Sequence, residues 1–211
     1  KPSNASTNHL YHNLKDGTFE EVTEKAGVGG PWYSMGVTVG DFNNDGFPDI
    51  YVSNYGPNTL YKNNGDGTFA DITKSAKVGG GKECSVGVVW LDFDNDGLLD
   101  LYVGNYLNFD PDYKYFYAPD GFPGPLAYDS QPDVLYHNLG HDTFEDVTAK
   151  MGIADLDGRA MGVAAADVDD DGFVDIYVAN DHTANYLWHN NAGKSFTDNG
   201  TMSGTGFSQA G

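Results

Sequence analysis

Residues 92–100 read Asp-Phe-Asp-Asn-Asp-Gly-Leu-Leu-Asp, with carboxylates at the first, third, fifth and ninth positions and glycine at the sixth. Side-chain oxygens at positions one, three and five converge on one point when the backbone curls, the seventh carbonyl can join them, and the ninth carboxylate closes the shell. Hard oxygen donors in that number suit calcium. Gly97 stands where the turn is sharpest, a place that favours positive φ and hence glycine. Residues 41–49 (Asp-Phe-Asn-Asn-Asp-Gly-Phe-Pro-Asp) and 167–175 (Asp-Val-Asp-Asp-Asp-Gly-Phe-Val-Asp) repeat the pattern, so the loop occurs three times. An acidic, solvated turn would explain the glycine and an aspartate or two, but not the same positions recurring in three places. The helix-loop-helix calcium hand closes with a glutamate at position twelve. Here the ninth residue runs straight into Asp-Ile-Tyr-Val or Asp-Leu-Tyr-Val, which read as strands.

Around each loop the same pieces return in phase. A short apolar run precedes it (residues 35–42, 86–93 and 161–168), and a second run follows (50–54, 101–105 and 176–180). A third piece has the form Asn/Asp-x-Leu-Tyr/Trp-x-Asn (58–63, 133–138 and 185–190), and a fourth covers 68–73, 143–148 and 195–198. Each piece is too short for a globular helix and is bounded by Gly, Asn and Asp, as in Asn64-Gly65-Asp66-Gly67. The first run is apolar at nearly every position, which predicts burial on both faces. The fold class is therefore all-β: a β-propeller segment of four-stranded antiparallel blades of about fifty residues each.

The reading gives one propeller region over residues 1–211, divided into a partial blade (1–30), blades at 31–80, 81–155 and 156–200, and the start of another at 201–211. The second blade carries an insertion at 107–132 containing Phe109, Tyr113, Tyr115, Phe116, Tyr117, Phe122 and Tyr128 with five prolines, a load that predicts a self-packed loop. Three calcium-loop blades fall short of the four to eight that close a ring. That count suggests a fragment of a longer chain, or a subunit completed by neighbours through its incomplete terminal blades.

A formal charge of −20 argues against a nucleic-acid partner, because the eleven Lys and Arg are scattered and form no basic stripe. Part of that charge is local: positions one, three, five and nine of the loops hold three, four and four carboxylates, to be met by about three calcium ions. No apolar run is long enough to span a bilayer. Cys84 is the only cysteine, so no internal disulfide forms. Weak calcium sites are typical of extracellular modules, which favours an extracellular or cell-surface setting, with the periplasm as an option. Asn4-Ala5-Ser6 and Asn199-Gly200-Thr201 fit the glycosylation acceptor pattern.

With the aspartate loop, the Gly-Val run before it and the Asn-x-Leu-Tyr-x-Asn…Gly-Thr-Phe after it, the chain resembles the FG-GAP/VCBS-repeat β-propellers. It is nearest in style to the cartilage acidic protein group and its bacterial relatives, and more distantly to integrin α-subunit propellers. The resemblance implies a secreted or surface-attached propeller, stabilised by calcium and used in adhesion or recognition, in which the loop joins the first and second strands of a blade. The matching ligand positions are Asp41, Asn43, Asp45, Phe47 and Asp49; Asp92, Asp94, Asp96, Leu98 and Asp100; and Asp167, Asp169, Asp171, Phe173 and Asp175, the seventh residue of each giving only its carbonyl. Asn43 departs from the all-aspartate pattern and predicts a weaker first site.

If the loops join strands one and two, antiparallel alternation puts the connections between strands two and three on the opposite face. There Trp32, Tyr33, Tyr55, Tyr106, Asp181, His182 and the insertion gather, a surface suited to a protein or glycan ligand unless those rings simply pack the insertion down. No Gly-x-Ser-x-Gly elbow or Gly-x-Gly-x-x-Gly turn is present. His12, His137 and His189 share one repeat position with Lys62 and read as strand-edge residues rather than zinc ligands. The leading expectation is a non-catalytic calcium-binding recognition scaffold. The alternatives are a surface-filament subunit and the propeller part of a carbohydrate-active enzyme such as a polysaccharide lyase.

Overall fold

The computed structural model describes residues 7–110, 112–113, 123–153 and 157–207. The Asn4 acceptor, Tyr115, Phe116, Tyr117 and Phe122 of the insertion, and residues 208–211 of the expected next blade lie outside the described residues.

A hairpin of β1 (Tyr11–Asn13) and β2 (Phe19–Glu21) is followed by three antiparallel sheets, each a meander in chain order. The first sheet contains β3 (Tyr33–Gly40), β4 (Asp49–Tyr55), β5 (Thr59–Asn63) and β6 (Phe69–Asp71). The second contains β7 (Ser85–Leu91), β8 (Asp100–Asn105), β9 (Val134–Asn138) and β10 (Phe144–Asp146). The third contains β11 (Ala160–Ala166), β12 (Asp175–Asn180), β13 (Tyr186–Asn190) and β14 (Phe196–Asp198). All-β, four-stranded antiparallel blades are what the phased repeat predicted.

Two cores hold the blades face to face. Phe42, Tyr51, Leu60 and Val78 of the first blade meet Trp90, Leu101, Val103 and Tyr136 of the second. Tyr102, Leu135 and Met151 of the second meet Ile176, Val178 and Trp188 of the third. Each such side chain contributes about 1.5–3 kcal/mol by leaving water, so the inter-blade faces carry most of the stabilisation. Close approach between the first strands of neighbouring sheets needs glycine. A Cβ on Gly36 would lie 2.2 Å from the Val86 carbonyl oxygen, and one on Gly87 would lie 2.7 Å from a Val163 methyl.

Two expectations need correction. The first strands are not uniformly buried on both faces: only β7, packed between β3 and β11, is largely covered, whereas Met35, Val37 and Val39 of β3 and Met161 of β11 are exposed. Burial of an inner strand depends on a blade at each side, and β3 instead borders a cleft of about 430 Å³ beside the β1–β2 hairpin. The second strands, β4 and β8, are the most buried. The fourth strands are also shorter than their sequence runs. Asp71 accepts hydrogen bonds from the Thr73 amide (3.0 Å) and hydroxyl (2.6 Å), which bends the chain out of β6 and into the one-turn helix α2 (Thr73–Ala76). One-turn helices α1 (Thr23–Ala26) and α3 (Gly200–Ser203) also follow β2 and β14.

Candidate metal loops and the opposite face

All three aspartate loops connect the first and second strands of a sheet, and in all three the carboxylates take the same backbone amides. The position-one residue accepts the amides of positions five and six: Asp41 from Asp45 (3.0 Å) and Gly46 (2.8 Å), Asp92 from Asp96 (3.1 Å) and Gly97 (2.9 Å), Asp167 from Asp171 (3.1 Å) and Gly172 (2.9 Å). The position-five residue accepts the amide of position seven at 2.8–3.0 Å through Asp45, Asp96 and Asp171. Gly46, Gly97 and Gly172 have φ of +89°, +87° and +91° with open space where a Cβ would stand, so backbone conformation alone requires glycine there.

The ninth carboxylate is different. Asp49, Asp100 and Asp175 are buried, and each ties the end of the first strand to the third: Asp100 accepts the amides of Phe93 (3.1 Å) and Asn138 (2.8 Å). Asp49 does so with Phe42 and Asn63, and Asp175 with Val168 and Asn190. Burial, opposed by those amides and reinforced by the charges of Asp94 and Asp96, pushes the Asp100 carboxyl up to about 8. Burial raises Asp49 to about 6, with Asp45 and Asp41 adding to the effect. A carboxylate that its own neighbours make costly to ionise is a fit for a cation held among them.

Oxygens of Asp92, Asp94 and Asp100 lie within 4.8 Å of one another, as do those of Asp167, Asp169 and Asp171, so these groups could hold a metal ion. Among the described residues loop one forms no such group. There the Asn43 amide nitrogen donates to Asp45 (3.0 Å) and approaches Asp142 (3.5 Å), and Asp142 accepts from the Lys62 ammonium at 2.7 Å.

The strand-three histidines are not mere edge residues. His137 Nε2 is 3.1 Å from Asp94 Oδ2 and 3.9 Å from Asp96 Oδ2, buried but without the alignment of a hydrogen bond. His189 Nδ1 is 3.4 Å from Asp169 and 3.3 Å from Asp175. Recurrence at one repeat position was the available signal, since β5, β9 and β13 each end beside the loop of their own sheet. His12 is exposed.

On the other face, Trp32 covers Gly56, and Tyr33 pairs with Tyr55 across β3 and β4. Tyr106 donates to Asp181 at 2.7 Å, and His182 lies 3.8 Å from the same carboxylate. Desolvation, then the bond to Asp181 and its charge, push the Tyr106 phenol up to about 12. Phe109 and Tyr113 lean on the buried Tyr128 ring at 5.5 and 5.6 Å. The Arg159 guanidinium, itself buried, donates to the carbonyls of Pro125 (3.2 Å) and Tyr128 (2.9 Å), which fastens this part of the insertion to the third sheet. An open cavity of about 360 Å³ remains between Tyr113, residues 124–127 and His182. No helix among the described residues is long and apolar enough to cross a membrane.

Comparison with known proteins adds three findings. Human (Homo sapiens) Cartilage acidic protein 1 is 29% identical over 179 residues, covering 82% of this chain and 24% of the relative, so the chain spans about a quarter of that protein's length. A lectin from Agrocybe aegerita, described for specific recognition of non-reducing terminal N-acetylglucosamine, superposes with a TM-score of 0.47 at 17% identity, over 91% of this chain and 46% of the lectin. The FG-GAP-like repeat matches residues 3–52, 41–103 and 120–178, spans that between them contain all three aspartate loops. The chain belongs to the FG-GAP-like repeat family.

Proposed function

We propose that this chain is a calcium-loaded β-propeller segment of an extracellular or cell-surface protein, acting as a non-catalytic scaffold for recognition of a protein or glycan. The observation that carries the reading is the threefold recurrence of one loop geometry, with its buried ninth carboxylate, at the same end of three blades. Calcium would be held by Asp92, Asp94, Asp96, the Leu98 carbonyl and Asp100, and by the equivalent positions of the other two loops. When bound it supplies positive charge that offsets repulsion among the carboxylates. The protein's own residues do the rest: position one shapes the curl, and position nine joins the loop to β5, β9 or β13. A relative named for cartilage accords with an extracellular setting.

The first loop binds most weakly, because Asn43 is neutral and the Lys62 ammonium stands nearby. Calorimetric titration of Asn43→Asp should tighten one of the calcium sites by about three- to ten-fold, the effect of one more carboxylate at close range in a partly solvated site. A titration that matches the wild type would remove the charge explanation.

Recognition is assigned to the face opposite the loops, where Tyr113, Leu126 and His182 are exposed around the cavity. A ring face with polar groups beside it suits a neutral sugar, and a net charge of −20 disfavours an anionic one. On a glycan array, Tyr113→Ala should lower binding of whichever neutral glycan the wild type retains by at least about ten-fold. Retention unaffected by this substitution and by His182→Ala would place recognition elsewhere.

A further inference from the structure

The fourth residue of the loop is not a ligand position, yet it reaches the next blade. Asn44 Nδ2 donates to the Gly97 carbonyl at 2.8 Å, and Asn95 Nδ2 donates to the Gly172 carbonyl at 2.9 Å. In both junctions the acceptor is the position-six carbonyl of the following loop. The same peptide unit carries the position-seven amide, which donates to the position-five carboxylate: Leu98 to Asp96, and Phe173 to Asp171, both at 2.8 Å. So Asn44 orients a peptide plane that lies between two ligand positions of a loop it does not belong to. A second bond runs back across each junction: Asn138 Nδ2 donates to the Phe42 carbonyl and Asn190 Nδ2 to the Phe93 carbonyl, both at 2.8 Å. Each of the first two loops is thereby tied to its successor at positions two and four.

We propose that Asn44 and Asn95 are positioning residues that couple the calcium loops in series, so that filling one loop raises the affinity of its neighbour. This rests on the calcium reading above. Asn44 sits between Asn43 and Asp45 with φ of +56°, and Asn95 between Asp94 and Asp96 with φ of +61°, so their side chains point at the next blade only when their own loop is curled. An ion that fixes the curl fixes the donor. The donor polarises the neighbouring peptide, whose N–H then holds the position-five carboxylate more firmly, because hydrogen bonds in a chain strengthen one another. Linkage makes the effect mutual. The third loop has Asp170 here, at φ +60°, and an ionised carboxylate has no hydrogen to donate to a carbonyl.

The sign of the coupling separates it from plain electrostatics, since two bound cations repel and each would weaken the other's binding. Calcium titrated calorimetrically into the decalcified 211-residue chain should enter loop one, the weakest site, more tightly once loop two is filled. Asp92→Ala, which empties loop two, should weaken loop one by about two- to ten-fold, the worth of one amide-to-carbonyl hydrogen bond. In an Asn44→Gly background, where glycine accepts the positive φ but has no donor, Asp92→Ala should bring loop one no further loss. Hydrogen exchange at the Leu98 amide should slow on calcium loading in the wild type and slow less in Asn44→Gly, with circular dichroism in calcium showing that both fold. Three ions bound independently, with Asn44→Gly indistinguishable from wild type, would overturn the coupling alone. A wild-type chain that takes up no calcium would overturn the loop reading and the coupling with it.

Discussion

Stripping divalent cations with excess EGTA should lower the melting temperature by roughly 15–30 °C relative to saturating calcium. An ion that binds only the folded state adds about 2.7 kcal/mol when present at a hundred times its dissociation constant. Three loops contribute that amount each if they act independently, and in a chain of about this length one kcal/mol moves the midpoint by about 2–4 °C. The structural reason for so large a response is the placement of the loops. Each lies between the first and second strands of its sheet, and its ninth carboxylate also ties the third strand, so an unfilled loop loosens three of the four strands in a blade. Asp96→Ala should reproduce about a third of the loss, since Asp96 is one of the proposed ligands and also fixes the Leu98 amide. Differential scanning calorimetry with and without chelator checks both, and superimposable melting curves in the two buffers would refute a stabilising role for the ion.

The loops were legible in the sequence because they depend on residue type at fixed spacing and because three copies in phase separate a pattern from chance. The antiparallel blades followed from the same phasing. Exposure of β3 was not legible: Met35, Val37 and Val39 have the composition of a buried strand, and what covers a strand is set by its neighbours in space. The inter-blade bonds of Asn44 and Asn95 were hidden for another reason. Asparagine in an acidic turn is amply explained by the positive φ it tolerates, so its reach across 53 residues left no mark beyond recurrence at position four. Arg159 is hidden more deeply still, as a lone arginine whose partners are carbonyls supplied by the insertion.

Asp100 provides the second large effect, because its protonation sets a pH dependence that calcium should reverse. In chelator the folded protein holds a proton on Asp100 up to about pH 8, while the unfolded chain releases it near the ordinary aspartate value of 3.8. The native state therefore binds more protons throughout that window. The stability contributed by Asp100 is fully present below about pH 4 and is lost as pH rises towards 8, by an amount on the order of 5 kcal/mol for a shift of this size. Asp49, raised to about 6, adds to the lower part of the slope only. With calcium present the ionised carboxylates hold the cation, protons compete with it, and stability should rise over the same range. Asp100→Asn keeps the shape of the side chain and removes its titration. Its chelator curve should be flat relative to wild type between pH 6 and 8, while the slope from Asp49 between about pH 4 and 6 persists. In calcium the variant should be the less stable protein at pH 8, having lost a charged oxygen from loop two and set an amide N–H against a buried donor, at a cost of about 1–3 kcal/mol for the unsatisfied group. Urea unfolding at half-unit pH steps, in chelator and in calcium, distinguishes these outcomes. A wild-type chelator curve that climbs with pH, or an Asp100→Asn curve parallel to it, would mean that the ninth position is not the charge-bearing close of the loop.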